Sequence, residues 1–430
     1  MGGLFMKKLT AVVVGYGGRG AAYAKYAIDH PEELEVVGVA EPNPMRRATA
    51  AQRHNIPQAQ QYATWQELAA KPKMADFAIL CTQDNMHYEP ALALIEKGYH
   101  LLLEKPMAPT PQECKAITEA AERKGVKIVV CHVLRFTPFW RTIKHIIDTG
   151  RLGKIMSITA SENVGHIHQS HSYVRGPWRN TAESSCMIMA KCCHDMDILQ
   201  WLIGEKCTYV QSFGRLSHFR KENQPAGAPG RCSDGCPHAD TCHYNAVKLY
   251  TDPASELWGW GRRAAAATVD EPTQEQVWDA LLTGPYGRCV YACDNDVVDH
   301  QVVNLEYEDG CTVSFTMTAF NKGGRSVRIY GTEGELISSR DQSTLELYSF
   351  ATDTWETIPI SEYGNDISSG HGGGDTGIMI DTLSLLRGET PSNSVCDVRT
   401  SYENHITGFA AEQARLENRV ISIAEYAENL

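Results

Sequence analysis

The chain of 430 residues has no uninterrupted apolar run long enough to span a bilayer and no long run of Lys and Arg. The first absence argues against a transmembrane segment. The second, with 40 basic against 52 acidic residues and a formal charge of -12, argues against nucleic acid or an anionic membrane as the main partner. The stretch before the first predicted strand is too short for a signal peptide, so we expect a cytoplasmic protein.

Composition and length bound the fold. A hydrophobic fraction of 43% with 21% charged residues is typical of a soluble globular protein. The chain is too long for one small core, which predicts two domains or one domain with large excursions. We find no internal repeat and no long low-complexity segment.

An apolar run, Val12–Val14, stops at a glycine-spaced turn. Such a turn lets backbone N–H groups face a pyrophosphate without Cβ atoms in the way. A predicted helix and a second strand follow, and this strand ends at an acid in the position that accepts hydrogen bonds from an adenosine ribose. The alternative is a turn that only packs helix on strand. The predicted cofactor-binding residues of this unit are Gly15, Tyr16, Gly17, Gly18, Arg19, Gly20 and Glu41.

The acid Glu41 also bears on which cofactor binds. A carboxylate repels the 2′-phosphate of NADP, so Glu41 favours NAD. Two nearby cations, Arg46 and Arg47, act against that preference.

Short strands alternate with helices up to residue 132, which predicts a parallel, doubly wound sheet in a Rossmann domain over residues 1–135. Ligands of such sheets bind at the carboxyl ends of the strands. Two segments leave these ends, residues 82–87 and Glu104-Lys105-Pro106. The residues predicted there to face the dinucleotide are Thr82, Asp84, His87 and Glu104.

The pattern changes in residues 136–430, the predicted substrate-binding and oligomerisation domain. Consecutive strands joined by turns predict an α+β domain with an open, mainly antiparallel sheet. A stretch at about 215–286, rich in Pro, Gly, Cys and Ala, is predicted to be an insertion. One face of the sheet needs a cover, either helices or another subunit, which predicts a homodimer or homotetramer. Its apolar residues include Val302, Leu305, Val313, Phe315 and Met317.

Two residues are candidates for chemistry. Lys105, just after the carboxyl end of a predicted parallel strand, would orient a substrate hydroxyl and stabilise an alkoxide as hydride leaves the carbon. His194, on a helix predicted over Met187–Ile203, would accept the alcohol proton, because a histidine titrates near neutrality. The alternatives are a surface lysine and a satisfied core histidine.

Taken together, these features resemble the glucose-fructose oxidoreductase, inositol dehydrogenase and MocA family (Gfo/Idh/MocA) over nearly the whole chain. The resemblance implies that Lys105 and His194 serve the reacting hydroxyl. Many members place an aspartate four residues before that histidine, where this sequence has Ala190 followed by Lys191. The motifs that carry the resemblance are the glycine-rich unit, Glu41, Cys81-Thr82 with His87, Glu104-Lys105-Pro106 and the histidine helix.

Lys191 is the third catalytic candidate, because it adds a cation close to His194 on the helix. It would hold an alkoxide, a carboxylate or a neighbouring acidic side chain. The alternative is a solvated lysine.

Polar and aromatic side chains crowd a loop after a predicted strand, and such side chains suit a sugar ring. In the family this loop resembles the substrate-facing segment; the alternative is a mere connection. The full set of predicted substrate-binding residues is Lys105, Arg135, His171, Tyr173, Arg175, Trp178, Arg179 and His194, and His166 and His168 lie in the same loop.

Of the 14 cysteines, three lie together in the Pro/Gly-rich stretch: Cys232, Cys236 and Cys242. Thiolates with this spacing can converge on one Zn²⁺ or an iron-sulfur cluster, and the alternative is free thiols. Such a site needs four ligands, and these cysteines supply three. The candidates for the fourth are His238, His243, Cys289 and Cys293. Any such metal is expected to be structural.

These observations lead to three functional hypotheses. The first is an NAD(H)-dependent oxidoreductase that interconverts a secondary hydroxyl and a ketone on a small-molecule carbohydrate: a sugar, glycoside or cyclitol. The second is a glycosidase that oxidises its sugar transiently with bound NAD and eliminates the aglycone. The third is a non-catalytic NAD-binding sensor.

Overall fold

The computed structural model describes residues 7–360 and 372–430, which form two sheets with helices around them. The first sheet has six parallel strands in the order β3-β2-β1-β4-β5-β6. Its strands are β1 (Leu9–Val14), β2 (Leu34–Ala40), β3 (Gln61–Tyr62), β4 (Phe77–Leu80), β5 (His100–Leu103) and β6 (Ile128–Val130). Its helices are α1 (Gly18–Ala24), α2 (Tyr26–Asp29), α3 (Pro44–His54), α4 (Trp65–Ala69), α5 (Tyr88–Glu96) and α6 (Pro111–Lys124).

Local sequence signals explain these elements. The strand β1 is apolar and nearly fully buried, as expected for a central strand covered on both faces. The helix α6 begins at Pro111 after the N-cap Thr110, whose hydroxyl accepts the N–H of Glu113 at 3.3 Å. It ends at Gly125, which adopts φ +63°.

The second sheet has nine strands in the order β14-β13-β12-β11-β7-β10-β9-β8-β15, and its pairs are antiparallel except for β7 with β10. This architecture confirms the predicted fold class. The strands are β7 (Ile155–Asn163), β8 (Cys207–Arg215), β9 (His300–Tyr307), β10 (Thr312–Thr318), β11 (Gly324–Gly331), β12 (Gly334–Ser338), β13 (Thr344–Ser349), β14 (Thr354–Pro359) and β15 (Ile421–Ser422).

The remaining helices cover one face of this sheet or build the segment between β8 and β9, except for the helix Gly374–Arg387, which packs on the first domain. They are α7 (Pro138–Asp148), α8 (His166–His168), α9 (Met187–Ala190), α10 (Cys193–Ile203), α11 (Ala246–Thr251), α12 (Trp260–Ala265), α13 (Gln274–Thr283), α14 (Gly374–Arg387), α15 (Val398–Glu417) and α16 (Ile423–Glu428). A π-helical segment, Gln169–Arg175, follows α8. The insertion therefore occupies residues 216–299, beyond the predicted 215–286.

Two predicted helices are broken in the structure. The helix predicted directly after the glycine turn divides at Lys25 into α1 and α2. The helix predicted over Met187–Ile203 stops at Ala190 and resumes at Cys193. The second break lies just before His194. A backbone carbonyl at this break has no partner within the helix, so it can accept a hydrogen bond from another group.

The apolar residues predicted to share one sheet face divide between two faces. Leu305, Val313, Phe315 and Met317 are buried in one core with residues of α10 and α15, whereas Val302 is 38% exposed. Strand alternation explains this, because Val302 and Leu305 are three positions apart in β9. Association with a second copy stays a prediction, and the face open to it carries Met156, Tyr209, Phe213 and Val302, all exposed.

A buried ion pair links the end of the first sheet to α10. Arg135 follows β6 and donates to both oxygens of Asp197 at 2.8 and 2.6 Å, and Asn404 of α15 donates to the same carboxylate at 2.6 Å. Burial alone would raise the pKa of Asp197, but the Arg135 guanidinium, helped by His132, holds that pKa below its ordinary value.

We predict that Arg135→Met lowers the free energy of unfolding by about 3–5 kcal/mol at pH 7, because it leaves a buried carboxylate unpaired. In the native chain the Asp197 contribution is present above the ordinary carboxyl pKa and is lost as the pH falls. In the variant the pKa of Asp197 should rise instead, so the deficit should shrink between pH 7 and pH 5. Urea denaturation at both pH values measures this.

A matched control is Arg399→Met, which breaks an ion pair with Glu122 whose side chains are both 48% exposed. It should change the unfolding free energy by less than about 1 kcal/mol. Equal effects of the two substitutions would contradict the role given to Arg135.

Candidate active site

Close backbone packing shapes the glycine turn between β1 and α1. Gly15 has φ +87°, and a Cβ there would lie 2.5 Å from the carbonyl oxygen of Cys81. A Cβ on Gly20 would lie 2.0 Å from the carbonyl oxygen of Gly15. Gly17 and Gly18 have no backbone atom within 4 Å of the corresponding position. The turn therefore needs glycine at 15 and 20 to close and leaves an open backbone edge at 17 and 18.

Glu41 lies beside this turn with its carboxylate fixed by the backbone. Its two oxygens accept the N–H groups of Tyr16 at 2.7 Å and Asn43 at 2.9 Å, and the residue is 4% exposed. Arg46 approaches from α3, and its Nε donates to the carbonyl of Ala267 at 3.0 Å. The insertion thus reaches the edge of the nucleotide turn, a contact that the sequence did not predict.

The predicted cofactor residues after the other strands have partners within the protein. Asp84 accepts Trp178 Nε1 at 3.0 Å and the Ser184 hydroxyl at 3.0 Å. His87 binds the carbonyls of Pro106 at 2.7 Å and Thr82 at 3.1 Å through its two ring nitrogens. These side chains hold the strand ends in place, and a direct cofactor contact by them stays a prediction.

Glu104 at the end of β5 is the centre of a buried charge cluster. Arg19 donates to it at 2.9 Å and also pairs with Asp375 of α14 at 2.7 Å. The Tyr23 hydroxyl donates to Glu104 at 3.0 Å. Burial alone would raise the pKa of Glu104, but Arg19 and Lys105 hold it below its usual value. The Arg19 side chain is thereby committed to the protein, so only its backbone can serve the predicted cofactor site.

Lys105 extends from β5 towards the second domain. Its backbone N–H donates to Glu104 at 2.7 Å, and its Nζ donates to the carbonyl of Ala190 at 3.0 Å. Burial alone would lower the pKa of Lys105, but the nearby acidic groups of Cys193, Glu104 and Asp84 raise it above its ordinary value. The side chain therefore reaches the break between α9 and α10 as an ammonium.

His194 lies four residues after Ala190, in the first turn of α10. Its ring packs edge-on against His132, with centroids 5.8 Å apart. His132 is fully buried, and its pKa is lowered to about 4 by burial, by Arg135 and by Lys105. The structure thus brings Lys105 and His194, predicted from separate domains, to the same break between two helices.

Lys191 contacts an acidic side chain. Its Nζ lies 3.4 Å from Glu162 of β7, and Arg325 of β11 pairs with the same carboxylate at 2.6 Å. Arg325 also pairs with Asp195 at 2.7 Å. Of the three partners considered from the sequence, the structure provides the neighbouring acid. The sequence missed Glu162 and Arg325, because strand pairing brings them together from residues far apart in the chain.

Aromatic side chains from the predicted loop and from the insertion form one wall. His171 packs against Trp260 with ring centroids 4.6 Å apart and stacks on Tyr286 at 4.8 Å. His168 lies 5.3 Å from Trp260 and 5.8 Å from Tyr173. Burial and the positive charge of Lys191 hold the pKa of His168 well below its usual value, so the ring is neutral.

Three arginines predicted to bind substrate have other partners. Arg135 is buried on Asp197, as described above. Arg175 is fully buried and donates to the carbonyls of Arg288 and Tyr244, each at 2.7 Å. Arg179 pairs with Asp294 at 2.9 Å and with Glu183 at 2.8 Å. Substrate binding by these arginines stays a prediction, and the structure shows Arg135 and Arg175 buried and already bound to protein groups.

The three cysteines predicted to bind metal share one cavity with a fourth. Cys232, Cys236, Cys242 and Cys289 all line it, together with Arg175. All 14 cysteines are free thiols in the structure. Metal binding stays a prediction at this point.

The first sheet and its glycine turn have the architecture of a dinucleotide-binding domain, and a second domain follows it. The family comparison agrees: residues 9–132 match the oxidoreductase family with an NAD-binding Rossmann fold, and residues 140–337 match the GFO/IDH/MocA C-terminal domain. The chain belongs to the Gfo/Idh/MocA oxidoreductase family.

The sequence identity to individual relatives is low. An oxidoreductase of Bacillus subtilis (strain 168), YteT, is 24% identical over 376 residues, which cover 83% of each chain. Inositol 2-dehydrogenase 2 of Saccharopolyspora erythraea is 30% identical over 132 residues, 30% of this chain and 36% of that protein. A solved levoglucosan dehydrogenase in complex with NADH superposes with a TM-score of 0.69 at 18% identity, over 97% of this chain and 99% of that one.

Within residues 7–360 and 372–430, every helix is too short or too polar to cross a bilayer.

We predict that Gly20→Ala weakens NAD binding by at least about tenfold, because the added Cβ would displace the Gly15 carbonyl and reshape the turn. Gly230→Ala, outside the nucleotide turn, is the matched control, since nothing lies within 4 Å of its Cβ position. Titration of each purified variant with NAD, followed by calorimetry, measures the affinities. Unchanged affinity in Gly20→Ala would contradict the geometry given to the turn.

Proposed function

We propose that the protein is an NAD(H)-dependent dehydrogenase or reductase that interconverts a secondary hydroxyl and a ketone on a sugar, glycoside or cyclitol. The observation that carries this proposal is the meeting of Lys105 Nζ with the Ala190 carbonyl, 3.0 Å apart, one helical turn before His194. This contact supports the proposal because it brings the Lys105 ammonium of the first domain to the chain segment of the second domain that carries His194.

The proposed step needs a proton acceptor and a group that holds oxygen. Bound NAD would supply the hydride acceptor for the carbon that carries the hydroxyl. His194 accepts the hydroxyl proton, and Lys105 donates a hydrogen bond to the oxygen as it becomes a carbonyl. In the opposite direction His194 returns the proton and Lys105 polarises the ketone.

The substrate class is supported by the wall beside this site and by the relatives. His168 and Trp260 supply aromatic rings in this wall, which suit the apolar face of a sugar or cyclitol ring, and the buried His171 packs behind them against Trp260. Two proteins to which the chain is similar are named for inositol and for levoglucosan. The carbon that reacts and the physiological direction are open to experiment.

We predict that His194→Asn lowers kcat by about 10²–10⁴-fold, because it removes the general base. Lys105→Met should lower kcat by about 10²–10³-fold, because it removes the cation at the developing alkoxide. The NAD affinity of both variants should stay within about twofold, since neither side chain belongs to the glycine turn. The measurement is NADH formation from sugars, cyclitols and glycosides, with the keto product located by NMR.

Matched controls are His145→Asn and Lys124→Met, which change exposed residues of α7 and of the end of α6 and should leave turnover unchanged. Full activity in Lys105→Met or His194→Asn would contradict the proposed roles. Release of an aglycone without net NADH would instead identify a glycosidase that works by transient oxidation.

We also propose that NAD is preferred over NADP, because the buried Glu41 carboxylate is held beside the turn by two backbone N–H groups. Glu41→Gln keeps the shape of the side chain and removes its charge. It should narrow the ratio of NADP to NAD dissociation constants by about tenfold or more, since the repulsion of a 2′-phosphate is lost. Tighter NADP than NAD binding by the native protein would contradict this.

A further inference from the structure

The cavity lined by four cysteines lies inside the insertion, away from Lys105 and His194. Two short chain segments run antiparallel there and are joined by a bridge between Arg231 and Arg288. The N–H of Cys232 donates to the carbonyl of Gly287 at 2.9 Å, and the N–H of Cys289 donates to that of Gly230 at 2.9 Å. This pairing holds Cys232 and Cys289 side by side, although 57 positions separate them in the sequence.

The other two cysteines come from consecutive turns. The N–H of Ala239 donates to the carbonyl of Cys236 at 3.1 Å, and the N–H of Cys242 donates to that of His238 at 2.9 Å. The remaining cavity wall is largely apolar and includes Pro225, Ala228, Pro229, Val290 and Tyr291. His238 also borders the cavity, but its Nε2 is bound to the carbonyl of Ala226 at 2.8 Å. The ligand set that the fold assembles is therefore four thiols.

A buried positive charge faces these thiols. Arg175 is 0% exposed, its Nη2 lies 3.8 Å from Cys232 Sγ, and its Nη1 is buried with no hydrogen-bond partner. Among the described residues, no carboxylate lies within 4.0 Å of its guanidinium nitrogens; its other contacts are backbone carbonyls. A buried guanidinium without an anion is costly, so its position calls for negative charge in the cavity. Neutral thiols or a disulfide would not supply that charge.

The spread of the sulfur atoms separates one ion from a cluster. A single zinc ion binds each thiolate at about 2.3 Å, which brings the four sulfur atoms close together. Within the described chain, no three of these cysteines have sulfur atoms within 4.8 Å of one another. A cluster that places one iron before each sulfur fits this wider arrangement of the sulfur atoms. The cavity between them measures about 30 Å³, so cluster binding has to move its lining outward.

We propose that Cys232, Cys236, Cys242 and Cys289 bind a four-iron, four-sulfur cluster, with Arg175 as the cation that offsets its negative charge. The cluster is structural. It ties together the two ends of an insertion that sends Trp260 to His171 and Ala267 to Arg46. Its binding is independent of turnover, so it can be tested whether or not the proposed dehydrogenase activity is found.

The test uses the full chain, purified without oxygen and reconstituted with equal amounts of ferrous and ferric iron and with sulfide. We expect about four iron and four acid-labile sulfide per chain, with a broad visible absorption that dithionite bleaches. One zinc per chain without iron, no bound metal, or disulfides among these cysteines by mass spectrometry would each overturn the proposal.

Two single variants identify the fourth ligand. Cys289→Ala should lose at least about half of the bound iron or shift the paramagnetic resonance of the reduced cluster, because one iron loses its thiolate. Cys293→Ala is the matched control: this thiol lies four residues on, contacts the Cys289 carbonyl at 3.3 Å and does not line the cavity. It should keep the iron and sulfide content of the native chain. Retention of the full cluster in Cys289→Ala, or equal loss in both variants, would overturn the assignment of Cys289.

Discussion

The buried ion pair between Arg19 and Glu104 is the interaction on which the site depends. It joins the helix after the glycine turn to the end of β5, and through Asp375 it also joins α14. The same carboxylate accepts the N–H of Lys105, so the pair fixes the backbone from which the catalytic candidate extends. Because the Glu104 carboxylate is desolvated, loss of Arg19 would remove its main countercharge and disturb the nucleotide turn and Lys105 together.

Much of the first domain could be predicted because its signals are local. Gly15 and Gly20 are required because backbone atoms of neighbouring segments lie too close for a Cβ. The alternation of strands and helices along the chain predicts a parallel sheet. Glu104-Lys105-Pro106 is a short motif at a strand end, so its place in the site followed from the fold. The broken helix before His194 was not predictable, because the amphipathic pattern continues through Lys191 and Cys192.

Most differences between the predicted and the observed site concern residues whose partners lie far away in the sequence. Arg135 and Arg175 have the chemistry of substrate ligands, but Asp197 and the carbonyls of the insertion enclose them. The sequence around Arg175 does not predict the antiparallel bridge that brings Cys289 close to Arg175. The role of Trp260 was hidden for the same reason, since a residue of the insertion becomes part of a wall built on His171 only after the insertion folds back.

The residue at position 190 shows how this chain departs from the pattern of many relatives. An aspartate there would lie one helical turn from His194 and stabilise its protonated form. Here α9 ends at Ala190, and the carbonyl at that end accepts from Lys105 instead. The next residue, Lys191, would oppose a charged imidazole, but Glu162 pairs with it, and Arg325 binds Glu162 and Asp195 in turn. This network pairs the positive charge of Lys191 with acidic side chains, which leaves the Lys105 ammonium as the cation that reaches the break beside α10.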